Sequence, residues 1–276
     1  MNISHFLCVI LTKIEDDQRT IVTRLNLYHH EFSTLDEVTF NRWVHAKTVP
    51  SVKRQILLCE FFNMNRIEFF NEYLEFKRHK KLKGHLVKFY EKLESSAFNL
   101  HAGVANYNNY CRERLSMVDY RKKFRNNVVV QPIHSYIDDH LNVEHVNIVH
   151  NQVNEIDFHY SFACYFKCTN DIAFGLNVKP DKINKTTFYF PLARNFNYES
   201  SQSIYKSLLC GLLNESEIFE SSLIKATMNS ENYHLFSMLG FELLTVVEIN
   251  KCKIYYMKVD ALDFFSNSLI LDIVVD

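Results

Sequence analysis

The chain has 276 residues, 47% of them hydrophobic and 23% charged, with a formal net charge of −1. This composition excludes a disordered or fibrous chain, since 23 Phe and 15 Tyr supply ample apolar surface for a packed core. The length predicts two domains, and the charge divides unevenly: residues 1–126 carry 21 Lys and Arg against 14 Asp and Glu, and residues 127–276 carry 10 against 18.

A basic first half can meet a polyanion, whereas an acidic second half repels one. With only 5 Gly and 4 Pro, few places can present bare backbone to a ligand. The seven cysteines are odd in number and scattered, which predicts reduced thiols in a cytoplasmic protein. Cys164 and Cys168 lack the second Cys or His pair that a zinc site needs. No apolar run reaches the roughly 20 residues of a membrane span, and no secretory leader is recognisable, so a soluble chain with no membrane partner is expected.

Residues 1–63 read as short helices. Phe6, Val9, Ile10 and Ile14 form one apolar stripe at helical spacing, and Ile21, Leu25 and Tyr28 form a second. In VTFNRWVHAKTVPS, Val38, Phe40 and Trp43 are expected to turn inward and Thr39, Asn41 and Arg42 outward. That helix ends near Ala46, and Pro50 and Ser51 open the next one, VKRQILLCEFF. Asn41, Arg42, Trp43, Ala46, Lys47, Pro50 and Ser51 together resemble the end of the third helix in the Cro and lambda-repressor helix-turn-helix family, with Ala46 in the family's glycine slot. The resemblance implies a helix in the major groove of double-stranded DNA. Asp36, Glu37, Thr39, Asn41 and Arg42 would face the bases, Lys47, Lys53 and Arg54 the phosphates, and the protein would act as a homodimer.

Residues 64–127 are expected to be a basic helical linker, marked by KRHKKLKGHLVK and RKKFR. These clusters suit either a solvated helix face or phosphate contact. Residues 128–276 change texture. FHYSFACYF, IAFGLNV, TTFYFPLA and KIYYMKV predict strands, alternating with helices at Ser203–Leu213 and Asn232–Met238. His134, His140, His145, His150 and His159 are spaced six, five, five and nine apart, which stacks no metal set on one helix face; a partly exposed helix is expected there and no metal.

NSENYHLFSMLGFELL predicts a helix that ends at Gly240 and leads into a strand. It resembles the last conserved segment of GNAT-fold acyltransferases, and the stretches 242–248 and 253–259 suit that fold's final hairpin. The resemblance implies a glycine loop cradling the acyl-CoA pyrophosphate and a tyrosine serving as general acid. Here Ser200, Ser203 and Tyr205 stand in the loop's slots, no Gly occurs between Gly175 and Gly211, and Phe236 stands in the tyrosine slot.

The sequence therefore predicts an α+β two-domain protein, with an all-α helix-turn-helix domain, a basic helical linker and an α/β GNAT-like domain. Its expected function is that of a DNA-binding transcriptional regulator without catalytic residues or cofactor. The second domain would sense an acyl or other small-molecule ligand through Arg194, Ser203 and Tyr205, or bind a partner. Two alternatives stay open: a non-enzymatic interaction and assembly protein, and an acyl-CoA-dependent acyltransferase.

Overall fold

The computed structural model describes residues 1–78, 84, 110–124, 145–151, 162–168, 186–190, 193–194, 198–227, 230–249 and 252–275. They fall into two units, Met1–Arg78 with Ile270–Asp276, and His79–Leu269. Among the described residues no helix is long and apolar enough to cross a membrane.

The first unit is helical: α1 (Ile3–Lys13), α2 (Gln18–Tyr28), a 3-10 turn at His30–Phe32, α3 (Glu37–Val44), α4 (Val52–Phe61) and α5 (Arg66–Glu72). Each α-helix starts on a side chain that accepts from a backbone amide three residues on: Asn2, Asp17, Asp36, Ser51 and Asn65. The apolar stripes close on one core, with Phe6, Phe40 and Phe69 fully buried and the Phe6 and Phe69 rings 4.9 Å apart edge to face. Gln55 is a buried amide with every polar atom occupied. Its Nε2 donates to the carbonyls of Pro50 and Glu75, both at 2.9 Å, and its Oε1 accepts from the Glu75 amide at 2.8 Å. The Glu75 carboxylate in turn accepts from the Ile3 amide at 3.1 Å, so one glutamine joins the turn before α4 to the start of α1.

Trp43 and Phe40 turn inward as expected, but Val38 is 62% exposed. It lies in the first turn of α3, two residues after the Asp36 cap, and the buried stripe begins only at Phe40. α3 ends in a left-handed residue, Ala46 at φ 53°, with the Lys47 amide donating back to the Arg42 carbonyl at 2.8 Å. An L side chain is strained at that angle. Ala46→Gly is therefore expected to raise stability by roughly 0.5–1 kcal/mol in urea melts, the relief of strain exceeding glycine's extra chain entropy.

The second unit is built on a sheet of β1 (Tyr110–Ser116), β2 (His145–Asn151), β3 (Phe162–Cys168), β4 (Thr187–Phe190), β5 (Ala193–Arg194), β6 (Ser222–Thr227), β7 (Glu242–Ile249) and β8 (Cys252–Asp260). Its order is β1-β2-β3-β4-β6-β8-β7, with β5 paired to β3. Every pairing is antiparallel except β4 with β6, which is parallel. The helices are α6 (Met117–Phe124), α7 (Tyr198–Leu213), α8 (Ser230–Met238), α9 (Ala261–Phe265) and α10 (Ser268–Val275), the last of which gives its residues from Ile270 onward to the first unit. There Asp272 lies 3.4 Å from the Arg78 guanidinium. The unit is mixed α/β, consistent with a GNAT-like fold, and α8 ends at Gly240 (φ 92°) as its sequence predicts.

Three expectations change. The stretch expected to be a helical linker contains β1, whose alternating CRERLS pairs along its full length with β2. The histidine segment expected to be helical contains β2 instead, in which Val146 and Ile148 are buried. β6 is a strand where none was expected. The expected strand at 172–178, His134, His140 and His159, and most of KRHKKLKGHLVK lie outside the described residues, while Arg121–Phe124 of RKKFR closes α6.

Gly211 marks the close approach of α7 to the sheet. A Cβ there would lie 3.4 Å from both the Arg112 guanidinium carbon and the Tyr165 hydroxyl. Gly211→Leu is expected to destabilise the unit by about 1–3 kcal/mol in denaturant unfolding, because larger side chains must push α7 off β1 and β3.

Candidate functional site

The register fixes which residues share a face, because paired residues project to the same side of a sheet. Arg112 of β1 and Tyr165 of β3 both reach α7's end of the fold. Arg112 donates to the Ser207 carbonyl, and the Tyr165 hydroxyl donates to Glu215 at 2.8 Å. That contact and burial push the Tyr165 phenol well above its ordinary range, burial being the larger cause. The Tyr165 and Phe188 rings meet at 6.0 Å, and Phe188 of β4 pairs with Leu223 of β6. Lys225 lies two residues beyond Leu223, on the same face, and pairs with Phe190 at the carboxyl end of β4.

Above Lys225 lies α8. The Lys225 ammonium nitrogen is 5.7 Å from the centroid of the Phe236 ring. Thus α7 and α8 cover the same face, as two right-handed crossovers running in one direction require. Tyr233, one turn earlier on α8, meets Tyr255 of β8 at 5.7 Å, and Tyr255 shares the Lys225 face through the β6–β8 register. No carboxylate among the described residues pairs with Lys225. Burial pushes its ammonium down to about 8, against a smaller opposing contribution from Cys164.

Other residues singled out by sequence fall elsewhere. Arg194 is in the two-residue strand β5, opposite Phe162 of β3. α7 starts at Tyr198, earlier than the expected Ser203, so Ser200, Ser203 and Tyr205 are helical, with the Ser203 and Tyr205 side chains half-buried. Beyond the first turn, helix amides serve their own helix. Phe236 is half-buried beneath the α8 backbone and presents its ring to Lys225 and to Phe241. Sequence reasoning missed Lys225 entirely, although a lone lysine inside SLIKAT is the signal that could have found it.

In the first unit Asp36, Glu37, Asn41, Arg42 and Lys47 are exposed, and Thr39, Lys53 and Arg54 are half-buried. Asp36, Glu37 and Arg54 make contacts within the unit. Asp36 accepts from the Thr39 amide at 2.6 Å, which holds its carboxyl below the ordinary value. Glu37 lies 3.7 Å from Arg19. Arg54 donates to the Glu31 carbonyl at 2.9 Å and lies 5.7 Å over the Trp43 ring.

No family model and no curated protein matches the chain. Solved structures with which it shares a likeness include FeeM, an N-acyl amino acid synthase from uncultured soil microbes, at a TM-score of 0.40 and 11% identity over 59% of this chain and 97% of that one. They also include the aminoglycoside acetyltransferase AAC(6′)-Ib in complex with coenzyme A and kanamycin (TM-score 0.33, 12% identity, 56% and 97% covered). A third is the aminoglycoside N(6′)-acetyltransferase from Legionella pneumophila (TM-score 0.31, 11% identity, 56% and 94% covered). These are acyl- and acetyltransferases, and they overturn the expected transcriptional regulator with double-stranded DNA as its partner.

Lys225 also carries a stability consequence. Its unfolded value is 10.5 and its folded value about 8, so the unfolded chain binds more protons between them and stability rises with pH across that window. Below it, the fold bears the cost of a partly desolvated ammonium, since Lys225 is half-buried. Lys225→Met is therefore expected to raise Tm by about 2–4 °C at pH 7, and by less at pH 10, where the lysine is largely neutral in the fold.

Proposed function

We propose that the second unit transfers an acyl group from a thioester to an amine. The observation that carries this reading is a primary amine, Lys225, at the carboxyl end of the sheet's one parallel strand pair among the described residues, on the face roofed by α7 and α8. In open α/β sheets, ligands bind outside the carboxyl ends of parallel strands. The GNAT-like order of strands sets the reaction class to be tested, and the site residues supply the chemistry.

The donor is defined by its thioester rather than by a diphosphate. The first turn of α7 contains no glycine, so no residue there offers the bare backbone that close approach of a diphosphate requires. Acyl donors without a pyrophosphate should therefore serve nearly as well as coenzyme A esters.

The test incubates the full chain with octanoyl-CoA or octanoyl-pantetheine and, as acceptors, a mixture of amino acids or kanamycin. Thiol release and amide mass are followed together. Amide is expected from both donors, with rates within about tenfold of each other if no more than a diphosphate contact separates them. Absence of thiol release and amide from every combination would sink the reading.

A further inference from the structure

We infer that Lys225 is the catalytic proton carrier of this site, taking a proton from the acceptor amine and delivering it to the departing thiolate. The inference rests on the acyl-transfer reading and adds a named group and a named path to it.

Geometry comes first. The side chain of Lys225 projects from the central strand β6, not from a loop, so its stem is held on both sides by β4 and β8. Its neighbours along the same face are Leu223 and Thr227 on β6, Met257 and Tyr255 on β8, and Phe236 above it on α8. Among titratable groups, Tyr255 of β8 shares its face and meets Tyr233 of α8, and Cys164 of β3 is near enough to act on its charge. None of these is a carboxylate, and the described residues give an ammonium there only the face of the Phe236 ring and the small contribution of Cys164. Lys225 is half-buried on an interior strand of the sheet, where a methionine would fill the space without the cost of desolvating a charge.

The chemistry fits the placement. A departing thiolate needs a proton, and the amine of Lys225, beside the Phe236 ring, is a group able to carry one. The acceptor nitrogen attacks the thioester carbonyl carbon, forming the C–N bond and a tetrahedral intermediate with a positively charged nitrogen. Neutral Lys225 removes one proton from that nitrogen and becomes the ammonium. The C–S bond then breaks, sulfur takes the electron pair, and the ammonium gives its proton to the thiolate. Amide and thiol leave, and Lys225 returns to the neutral form. A thiol ordinarily titrates at about 8.5, close to the value of about 8 to which burial brings Lys225, so the proton passes between nearly matched partners.

Lys225→Met and Lys225→Arg test this in the full chain. Met keeps the volume and removes the amine; Arg keeps the charge and cannot release a proton. Both are expected to lower kcat for octanoyl transfer by ~100-fold or more with KM changed less than about threefold. Wild-type kcat/KM should rise with pH to a plateau governed by a group near 8, a profile that both variants lose. A separate measurement needs no turnover: reductive methylation with carbon-13 formaldehyde labels the lysines, and the resonance absent from Lys225→Met should titrate near 8. Folded variants that retain wild-type kcat, or a Lys225 resonance that titrates near 10.5, overturn the inference. A wild-type chain that forms no amide overturns the acyl-transfer reading itself, and is told apart because the variants are then compared against no activity.

Discussion

The second unit is organised by one pairing, the parallel contact of β4 with β6. Antiparallel neighbours can be joined by tight turns, but a parallel pair needs a crossover, and here α7 supplies it. β6 is then followed by a second crossover through α8 to β7, with β8 inserted between as their antiparallel partner. Both crossovers run in one direction across the sheet, so both helices are placed on one face. The burial of β6, the closeness of Gly211 to Arg112 and Tyr165, and the roof over Lys225 all follow from that placement.

The first unit depends on a different kind of constraint, the satisfaction of helix ends. Asp17 and Asp36 look like acids available to a partner, yet each is occupied in holding the first amides of its own helix. Arg54 likewise makes internal contacts, its Nε donating to the Glu31 carbonyl and its guanidinium lying over Trp43. A pattern of residues around a tryptophan can therefore record how a helical unit packs without recording what it binds.

Legibility in the sequence followed the strength of local signals. The start of α4 was clear because its cap is a single residue with one job, Ser51. β3, β4, β7 and β8 were clear because aromatic and β-branched residues crowd them. β1 and β2 were not: CRERLS alternates charge in a way that suits an exposed helix as well as a strand, and HVNIVHN has polar residues at both ends. β6 is six residues long and buried on both faces, so it shows no alternation at all. That hid Lys225, since a lysine is read as a surface residue until its strand is known to be central. The NSENYHLFSMLGFELL segment did place α8, and it singled out Phe236 as the residue without a proton. The amine that answers Phe236 became visible only with the register of β6 against β4.

The first unit includes Ile270–Asp276, which follow the second unit in the chain. Protein chains are made from the amino end, and their domains ordinarily fold in that order. Here the order is reversed in part: α1 to α5 emerge first but lack the buried Leu271 and Val274 until the whole second unit has been synthesised. The second unit can close while the first still waits for its final piece. A nascent chain paused before residue 270 would therefore hold a finished sheet and an unfinished helical unit, and it is the older segment that a chaperone would have to guard.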